Sequence, residues 1–199
     1  MPFNQPRNPV DAAKSSLLLE PESFDQADLM PMQLIQVTSR GVYNQAHIEG
    51  ALLVEPQELV CGIQPATGKL ATAAQLTQLL NRISYDPSVT YVAYDDEGGG
   101  WAGRFLWTLD MLGHHTWGYL NGGLHAWVHA GRPLADSTFS AGPVTAKAVE
   151  FQINDAPRAR LEEVLRAIDD PDQIIWDARS REEYLGYRSG SQRAGHIPG

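Results

Sequence analysis

The sequence is poor in cysteine, in positive charge and in long apolar runs. Cys61 is the only cysteine among the 199 residues, so no disulfide can form within the chain, and a reducing compartment is expected. Lys and Arg number 15 against 24 Asp and Glu, which leaves a formal net charge of -9. Nucleic acids and anionic membranes both bind clustered positive charge. We therefore expect neither as the main partner, although a local positive pocket could still hold a small anion.

No apolar stretch approaches the roughly 20 residues that a membrane-spanning helix needs. The opening stretch, MPFNQPRNPVDAAKSSLLLEPE, has Pro, Asn and charged residues where a signal peptide has a long apolar run. These absences predict a cytoplasmic protein, and a monomer is the expected state. The hydrophobic content of 43% is ordinary for a globular protein with a packed core.

Four short apolar runs occur in the first two thirds of the chain. They lie at 34–37, 51–54, 91–94 and 116–120, and each is flanked by turn residues or by a helical pattern. Runs of this length are typical of buried parallel strands.

Helical patterns alternate with these runs. The segment 71–83 carries leucines at helical spacing, with Thr72 placed as an N-cap, and apolar helices are predicted at 104–112 and 124–129. Alternation of this kind predicts an α/β fold with a central parallel sheet flanked by helices.

The chain repeats part of its own sequence. IQVTSRGVY (35–43) aligns with WDARSREEY (176–184), and the HIEG that starts at His47 aligns with the HIPG that starts at His196. The two offsets, 141 and 149 residues, differ by an insertion of eight. A period of this size indicates a duplicated domain, because solenoid repeats recur every 20 to 50 residues or so.

The repeat predicts the domain organisation. We expect an N-terminal extension at 1–30, a first domain at 31–135, a linker at 136–150 and the start of a second copy at 151–199. About 50 residues rarely bury enough surface to fold alone. The expectation is therefore a fragment whose second copy stops after its first βα unit.

Three motifs occur along the chain in this order: YVAYDDEGGGWAGRFLW, then YLNGGLHAW with GRPL following, then WDARSREEY and GHIPG. Together and in this order they resemble the two-domain rhodaneses, which are thiosulfate sulfurtransferases of the bacterial tandem type. The resemblance implies a duplicated rhodanese-like α/β fold in which only the second copy is catalytic. It also implies a cysteine in a Cys-x4-Arg loop, which takes the outer sulfur of thiosulfate as a persulfide and passes it to cyanide or a thiol. No cofactor is implied.

The same resemblance predicts that this chain carries no catalytic residue. Asp95 stands at the matching position of the first copy and follows His47 by 48 residues, so the cysteine is expected about as far beyond His196, outside the 199 residues. In the first copy Asp95, Asp96 and Glu97 form an inactive loop, because a carboxylate cannot carry a persulfide and three acids repel a dianion. We expect the chain by itself to be inactive.

Two residues are candidates for the substrate pocket. By the resemblance, Trp101 stands where the family places an aromatic side chain lining the pocket, with plain core packing as the alternative. Arg179 lies just past the predicted strand 173–176, near Asp177 and Tyr184, where it could hold an anion or the missing loop. The alternative role of Arg179 is an internal ion pair with a carboxylate that stabilises the turn.

Other patterns point to different functions. Gly98–Gly103 matches G-x-G-x-x-G, but three acids precede the glycines and no acid follows about 20 residues on, so a dinucleotide site is disfavoured. His125 and His129 have metal-ligand spacing on a helix, yet no third ligand is evident, and no metal site is expected.

We interpret Cys61 and the two repeated histidines as residues without a catalytic role. Cys61 lies in a loop with no strand-to-helix turn and no arginine close in sequence, so we expect an unreactive thiol. His47 and His196 recur with the repeat, which favours a structural role.

Three functional alternatives remain open. The chain could be a non-catalytic rhodanese-like interaction module. Mercaptopyruvate could replace thiosulfate as the donor. A Cys-x5-Arg phosphatase loop is the third alternative, since the residues that decide between these chemistries lie in the expected missing loop.

Overall fold

The computed structural model describes residues 18–25, 32–136, 151–190 and 193–198. The chain divides into two compact units, Met1–Asp155 and Ala156–Gly199. Nearly all of the expected linker, and most of the expected N-terminal extension, lie outside the described residues. Each unit is described by itself.

The first unit contains a five-stranded parallel sheet with the spatial order β1-β5-β4-β2-β3. The strands are β1 (Leu18–Leu19), β2 (Met32–Val37), β3 (Leu52–Val54), β4 (Thr90–Tyr94) and β5 (Trp117–Leu120). The predicted α/β fold with a helix-flanked parallel sheet is confirmed. Strand β1 lies in the segment assigned to an N-terminal extension, and two residues are too few for any pattern to reveal a strand.

An α-helix follows each of the strands β2 to β5 along the chain, as the predicted alternation requires. The helices are α1 (Arg40–Gln45), α2 (Ala73–Arg82), α3 (Gly100–Met111) and α4 (Gly123–His129), with 3-10 turns at Pro21–Asp25 and Pro56–Leu59. Thr72 is the N-cap of α2, as predicted: its side chain accepts from the Gln75 amide, and the Gln75 side chain accepts from the Thr72 amide. Helix α3 begins four residues earlier than the sequence indicates, because it starts directly from the glycines at its head.

An apolar core lies on each face of the sheet. Tyr91 and Ala93 of β4 pack with residues of α2 and α3 on one face, whereas Val92 and Tyr94 pack with Leu124 and Trp127 of α4 on the other. Successive residues of a strand point to opposite faces, so a strand covered on both sides is apolar throughout. This three-layer arrangement brings the carboxyl ends of β2 and β4 to one edge of the sheet.

The second unit contains α5 (Leu161–Ile168) and α6 (Arg181–Tyr184). The prediction of a strand at 173–176 is wrong for this structure: the segment has no strand assignment, and Ile174 and Trp176 are 90% and 85% exposed. A parallel strand is held by hydrogen bonds to its neighbours. Among the described residues of this unit no strand runs beside it.

No helix within the described ranges is both long enough and apolar enough to cross a membrane.

Candidate functional site

The loop between β4 and α3 lies at the carboxyl edge of the sheet, where ligand sites of parallel sheets form. Strand β4 ends at Tyr94, and Asp95 follows it directly. The chain then turns through Gly99, whose φ of +96 is left-handed, and α3 begins. A Cβ on Gly99 would lie 2.7 Å from the Tyr119 hydroxyl, so only glycine fits this turn.

The Asp95 carboxylate occupies the amide cradle at the head of α3. Its Oδ1 accepts from the amides of Glu97 (3.1 Å) and Gly99 (2.7 Å), and its Oδ2 accepts from those of Trp101 (3.0 Å) and Ala102 (2.9 Å). The residue is 1% exposed. A helix N-terminus favours an anion through its free N–H groups and its dipole. The anion that fills this site is the protein's own side chain.

The start of α4 holds the loop from the other side. The Leu124 amide donates to the Asp95 carbonyl at 2.9 Å. Gly123 has a φ of +57, and a Cβ there would lie 2.3 Å from the same carbonyl oxygen. Tyr119 of β5 also lies near the Asp95 carboxylate. Burial raises the pKa of the Tyr119 hydroxyl, and the charge of Asp95 raises it further. The loop is therefore fixed by both neighbouring elements.

The other two acids of the loop differ in their surroundings. Glu97 is exposed, whereas Asp96 is half-buried, and its Oδ1 is buried without a partner among the described residues. Both follow Asp95 directly, so three carboxyl groups lie in one loop. This concentration of negative charge opposes the approach of a second anion.

Trp101 lines a cavity of about 320 Å³ beside the loop, together with Glu97, Gly100 and Arg104. The indole is half-buried, and it also packs against the core that contains α2 and α3. Both the pocket and the packing interpretation of Trp101 are therefore compatible with its position.

Arg104 is a residue of this cavity that sequence reasoning missed. Its Nη2 donates to the carbonyls of Gly68 (2.9 Å) and Leu59 (3.3 Å), and its guanidinium lies 4.7 Å from the ring centre of Trp107. Its Nε is buried without a partner within the described part of the chain. Burial lowers the pKa of Arg104, while Cys61 acts in the opposite direction. An arginine inside an otherwise apolar helix pattern was the available signal.

Cys61 has an arginine nearby, which corrects the expectation drawn from its sequence neighbours. Arg104 donates to the carbonyls of Leu59 and Gly68, which flank Cys61 in sequence, and the cysteine is close enough to act on the pKa of Arg104. The thiol is half-buried, with Sγ 3.5 Å from the Ala66 carbonyl oxygen, which accepts from it. The prediction that Cys61 lacks a strand-to-helix turn is confirmed, since its amide pairs with Lys69 in a local loop.

The glycine motif and the histidine pair have other partners. The cradle amides that a dinucleotide pyrophosphate would need are taken by Asp95. His125 Nε2 lies 3.0 Å from the Asp96 carbonyl oxygen and thus helps to hold the loop. Within the described ranges no group of three or more His, Cys, Asp and Glu side chains could hold a metal ion.

Arg179 and Asp177 form a bidentate ion pair in the second unit. Arg179 Nε donates to Asp177 Oδ1 at 2.9 Å and Nη2 donates to Oδ2 at 2.6 Å, while Nη2 also donates to the Gly195 carbonyl at 3.0 Å. The pairing lowers the pKa of Asp177 to about 2. Both residues line a cavity of about 750 Å³ that also includes Tyr184 and His196. Arg179 thus lines a cavity and braces the turn at once.

A buried polar cluster behind the β4 loop was also missed. Gln36 and Tyr94 are both 0% exposed, and the Tyr94 hydroxyl donates to Gln36 Oε1 at 3.0 Å. The signal in the sequence was a glutamine inside the apolar run LIQV. A polar residue at such a position needs a hydrogen-bond partner.

Comparisons with known proteins agree with this architecture. A model of the rhodanese-like domain matches residues 22–130. The chain is 41% identical over 193 residues to a thiosulfate sulfurtransferase of Azotobacter vinelandii, covering 95% of this chain and 69% of that protein. It is 40% identical over 185 residues to a thiosulfate sulfurtransferase of Pseudomonas aeruginosa, covering 90% and 67%.

Among solved structures, the 3-mercaptopyruvate sulfurtransferase of Leishmania major superposes with a TM-score of 0.74 at 21% identity. The match covers 97% of this chain and 54% of that one. The chain thus spans about two thirds of the thiosulfate sulfurtransferases and about half of this solved structure. Over half of the chain matches the domain model, and the identity to both curated relatives is high, so the chain belongs to the rhodanese family of sulfurtransferases.

Proposed function

We propose that this chain is part of a thiosulfate sulfurtransferase that moves the outer sulfur of thiosulfate to cyanide or a thiol. The identity of 41% to the Azotobacter vinelandii enzyme across 95% of the chain is the observation that carries this proposal. The single cysteine supports a cytoplasmic location, and a monomer remains our expectation.

The first copy carries no sulfur in this proposal. Asp95 holds the place of the sulfur carrier, and its carboxylate already takes four amides. Carboxylate oxygen cannot form a stable persulfide, so sulfur transfer needs a thiol elsewhere. Trp101 in the first copy and Arg179 in the second copy, which begins at residue 151, are the proposed substrate-pocket residues.

The thiol comes from a segment outside these 199 residues. As a thiolate it attacks the outer sulfur of thiosulfate: a sulfur–sulfur bond to the cysteine forms, the bond to the central sulfur breaks, and sulfite leaves with its electron pair. Cyanide or a second thiolate then attacks the outer sulfur of the persulfide and regenerates the cysteine thiolate. A loop that opens a helix stabilises both thiolate and persulfide through its amides.

Intact mass spectrometry tests this proposal. Residues 1–199 incubated with thiosulfate are expected to keep their mass. The full-length protein is expected to gain one sulfur atom, release sulfite, and lose the added sulfur to cyanide as thiocyanate. The matched control is Cys61→Ser in the full-length protein, which should behave like the wild type. A sulfur atom carried by Cys61 through repeated turnover would overturn the proposal.

3-Mercaptopyruvate is the second candidate sulfur donor. The human 3-mercaptopyruvate sulfurtransferase is 24% identical to this chain over 184 residues. Parallel assays with both donors distinguish the two: the proposal requires the higher kcat/KM with thiosulfate. Absence of sulfur transfer with either donor would favour the non-catalytic interaction module.

A further inference from the structure

The cavity beside the β4 loop is lined by two opposite charges that do not pair with each other. It measures about 320 Å³, and its walls are Val60, Gly68, Glu97, Gly100, Trp101 and Arg104. Within the described part of the chain no ion pair joins Glu97 to Arg104. A cavity of this volume is large enough for a small organic molecule. A ligand of this cavity therefore has to match two separate charges of opposite sign.

The positive wall still has a donor to offer. Arg104 is held through Nη2, which donates to the carbonyls of Gly68 at 2.9 Å and Leu59 at 3.3 Å. Its Nε is buried and has no acceptor among the described residues. A buried donor without an acceptor costs free energy, and a carboxylate is the acceptor that best matches a guanidinium. Arg104 therefore favours a ligand that carries a carboxylate.

The negative wall is an acid without a partner. Glu97 is exposed, and in the ranges that the structure describes its carboxylate has no hydrogen bond or ion pair. Its amide donates to Asp95, which fixes the backbone from which the side chain projects. Glu97 and the neighbouring Asp96 repel a plain anion, whereas Arg104 repels a plain cation. A molecule that carries both charges finds an opposite charge for each of them.

The third wall of the cavity is apolar. Trp101 and Val60 supply it, and both are half-buried. The Trp101 amide donates to Asp95 at 3.0 Å, so the backbone that carries the indole is also fixed. An apolar ligand group that packs against an indole is removed from water, which favours binding.

We propose that this cavity binds a zwitterionic α-amino acid with an apolar side chain. Its carboxylate lies at Arg104, its ammonium at Glu97, and its side chain packs against Trp101. This site goes beyond the proposed function, because it needs no sulfur chemistry and lies wholly within the first unit. Its failure would leave the sulfur-transfer proposal untouched.

Isothermal titration calorimetry on the 199-residue chain tests the proposal, with L-leucine as the probe. Three analogues each lack one of its groups: 4-methylpentanoate lacks the ammonium, 3-methylbutylamine lacks the carboxylate, and glycine lacks the apolar side chain. L-Leucine is expected to bind saturably, and each analogue to bind about fivefold or more weakly.

Glu97→Gln provides the reading that a merely structural role would not move. It should weaken L-leucine about fivefold and leave 4-methylpentanoate unchanged or bound more tightly, because the repulsion of its carboxylate is reduced. Glu49→Gln is the matched control: it makes the same change in net charge at an exposed acid outside the cavity wall. It should leave both affinities unchanged.

Arg104→Gln should give the mirror image. L-Leucine and 4-methylpentanoate should both weaken, while 3-methylbutylamine should not. This variant also loses hydrogen bonds to the Leu59 and Gly68 carbonyls, so the Glu97→Gln pattern decides the proposal if Arg104→Gln does not fold.

Three results would overturn the proposal. The first is that L-leucine gives no saturable binding to the folded chain. The second is that 4-methylpentanoate or 3-methylbutylamine binds as tightly as L-leucine, which would indicate a plain anion or cation site. The third is an equal loss of L-leucine affinity in Glu97→Gln and Glu49→Gln.

Discussion

The imidazole of His196 stacks on the phenol of Tyr184, with ring centres 3.8 Å apart and planes at 9°. Tyr43 and His47 do the same in the first unit, at 4.0 Å and 10°. In both pairs the histidine Nδ1 lies within 2.9 Å of the tyrosine carbonyl oxygen, which can only accept, so Nδ1 carries the proton. One device built twice supports the duplication and the structural role predicted for both histidines.

The hydroxyl of Tyr43 gives the first prediction. It donates to the buried Ala51 carbonyl at 2.6 Å, so Tyr43→Phe should lower the free energy of unfolding by about 1 kcal/mol. Urea denaturation measures this. Tyr184→Phe is the matched control, because that hydroxyl has no hydrogen-bond partner among the described residues. Equal losses in the two variants would contradict the assignment.

Asp95 is expected to be essential for the stability of the first unit. Asp95→Ala removes the acceptor for four amides and leaves them buried, which should cost about 3 kcal/mol or more. Asp95→Asn keeps one oxygen but turns an NH2 group toward amide donors, so an intermediate loss is expected. Thermal and urea unfolding report both changes.

Glu97→Ala is the control for Asp95, since that side chain is exposed at the same loop. It should change the free energy of unfolding by less than about 0.5 kcal/mol. An Asp95→Ala variant as stable as Glu97→Ala would show that the cradle does not depend on its carboxylate.

Gly123→Ala tests the close approach between α4 and the loop. The new Cβ would meet the Asp95 carbonyl oxygen, at a φ that L residues rarely adopt, so a loss of about 2 kcal/mol or more is expected. Gly103→Ala on the exposed side of α3 is the control. Nothing lies within 4 Å of its Cβ, and helix propensity predicts a gain of up to about 1 kcal/mol. Equal effects measured by urea denaturation would rule out the clash.

His114 should make stability dependent on pH. It is buried, its Nε2–H donates to the Thr116 carbonyl at 2.9 Å, and its Nδ1 accepts from the Tyr85 hydroxyl at 2.9 Å. Burial lowers the pKa of His114, and His115 acts in the same direction, while the Thr116 carbonyl and Asp110 oppose them. The folded protein therefore disfavours the protonated ring.

The sign of the effect follows from proton linkage. The unfolded chain takes up a proton near its ordinary value of 6.5, before the folded protein does. The contribution of His114 is therefore complete above that pH, and it is lost as the pH falls below it through the lower pKa of the folded protein. Urea midpoints of the wild type should fall more steeply between about pH 8 and pH 5 than those of His114→Gln. Parallel pH profiles would exclude His114 as the responsible group.

Trp101 provides a functional prediction. In the full-length protein Trp101→Ala should raise KM for thiosulfate several-fold with a smaller effect on kcat, because it removes a wall of the cavity and leaves the thiol intact. Trp101→Phe keeps an aromatic wall and should restore most of the affinity. An unchanged KM, together with reduced stability, would favour the core-packing role.

Much of the fold could be predicted from local patterns. Apolar runs of strand length, leucines at helical spacing and the Thr72 cap depend on neighbours in sequence, so they were visible without coordinates. The repeat and the three acids at 95–97 were equally visible, and they predicted both the duplication and the absence of a sulfur carrier in the first copy.

Contacts between distant segments required the tertiary structure. The two residues of β1 form a strand because β5 offers them a partner, whereas 173–176 has no pairing partner among the described residues. Arg104 donates to the Gly68 carbonyl in the loop that holds Cys61, and the Asp95 carboxylate accepts from the amides at the head of α3, because the loops fold back on these helix residues. Sequence alone determined which residues occur and how they are spaced. Only the tertiary structure decided which polar groups satisfy one another, because hydrogen bonds depend on distances in space and not along the chain.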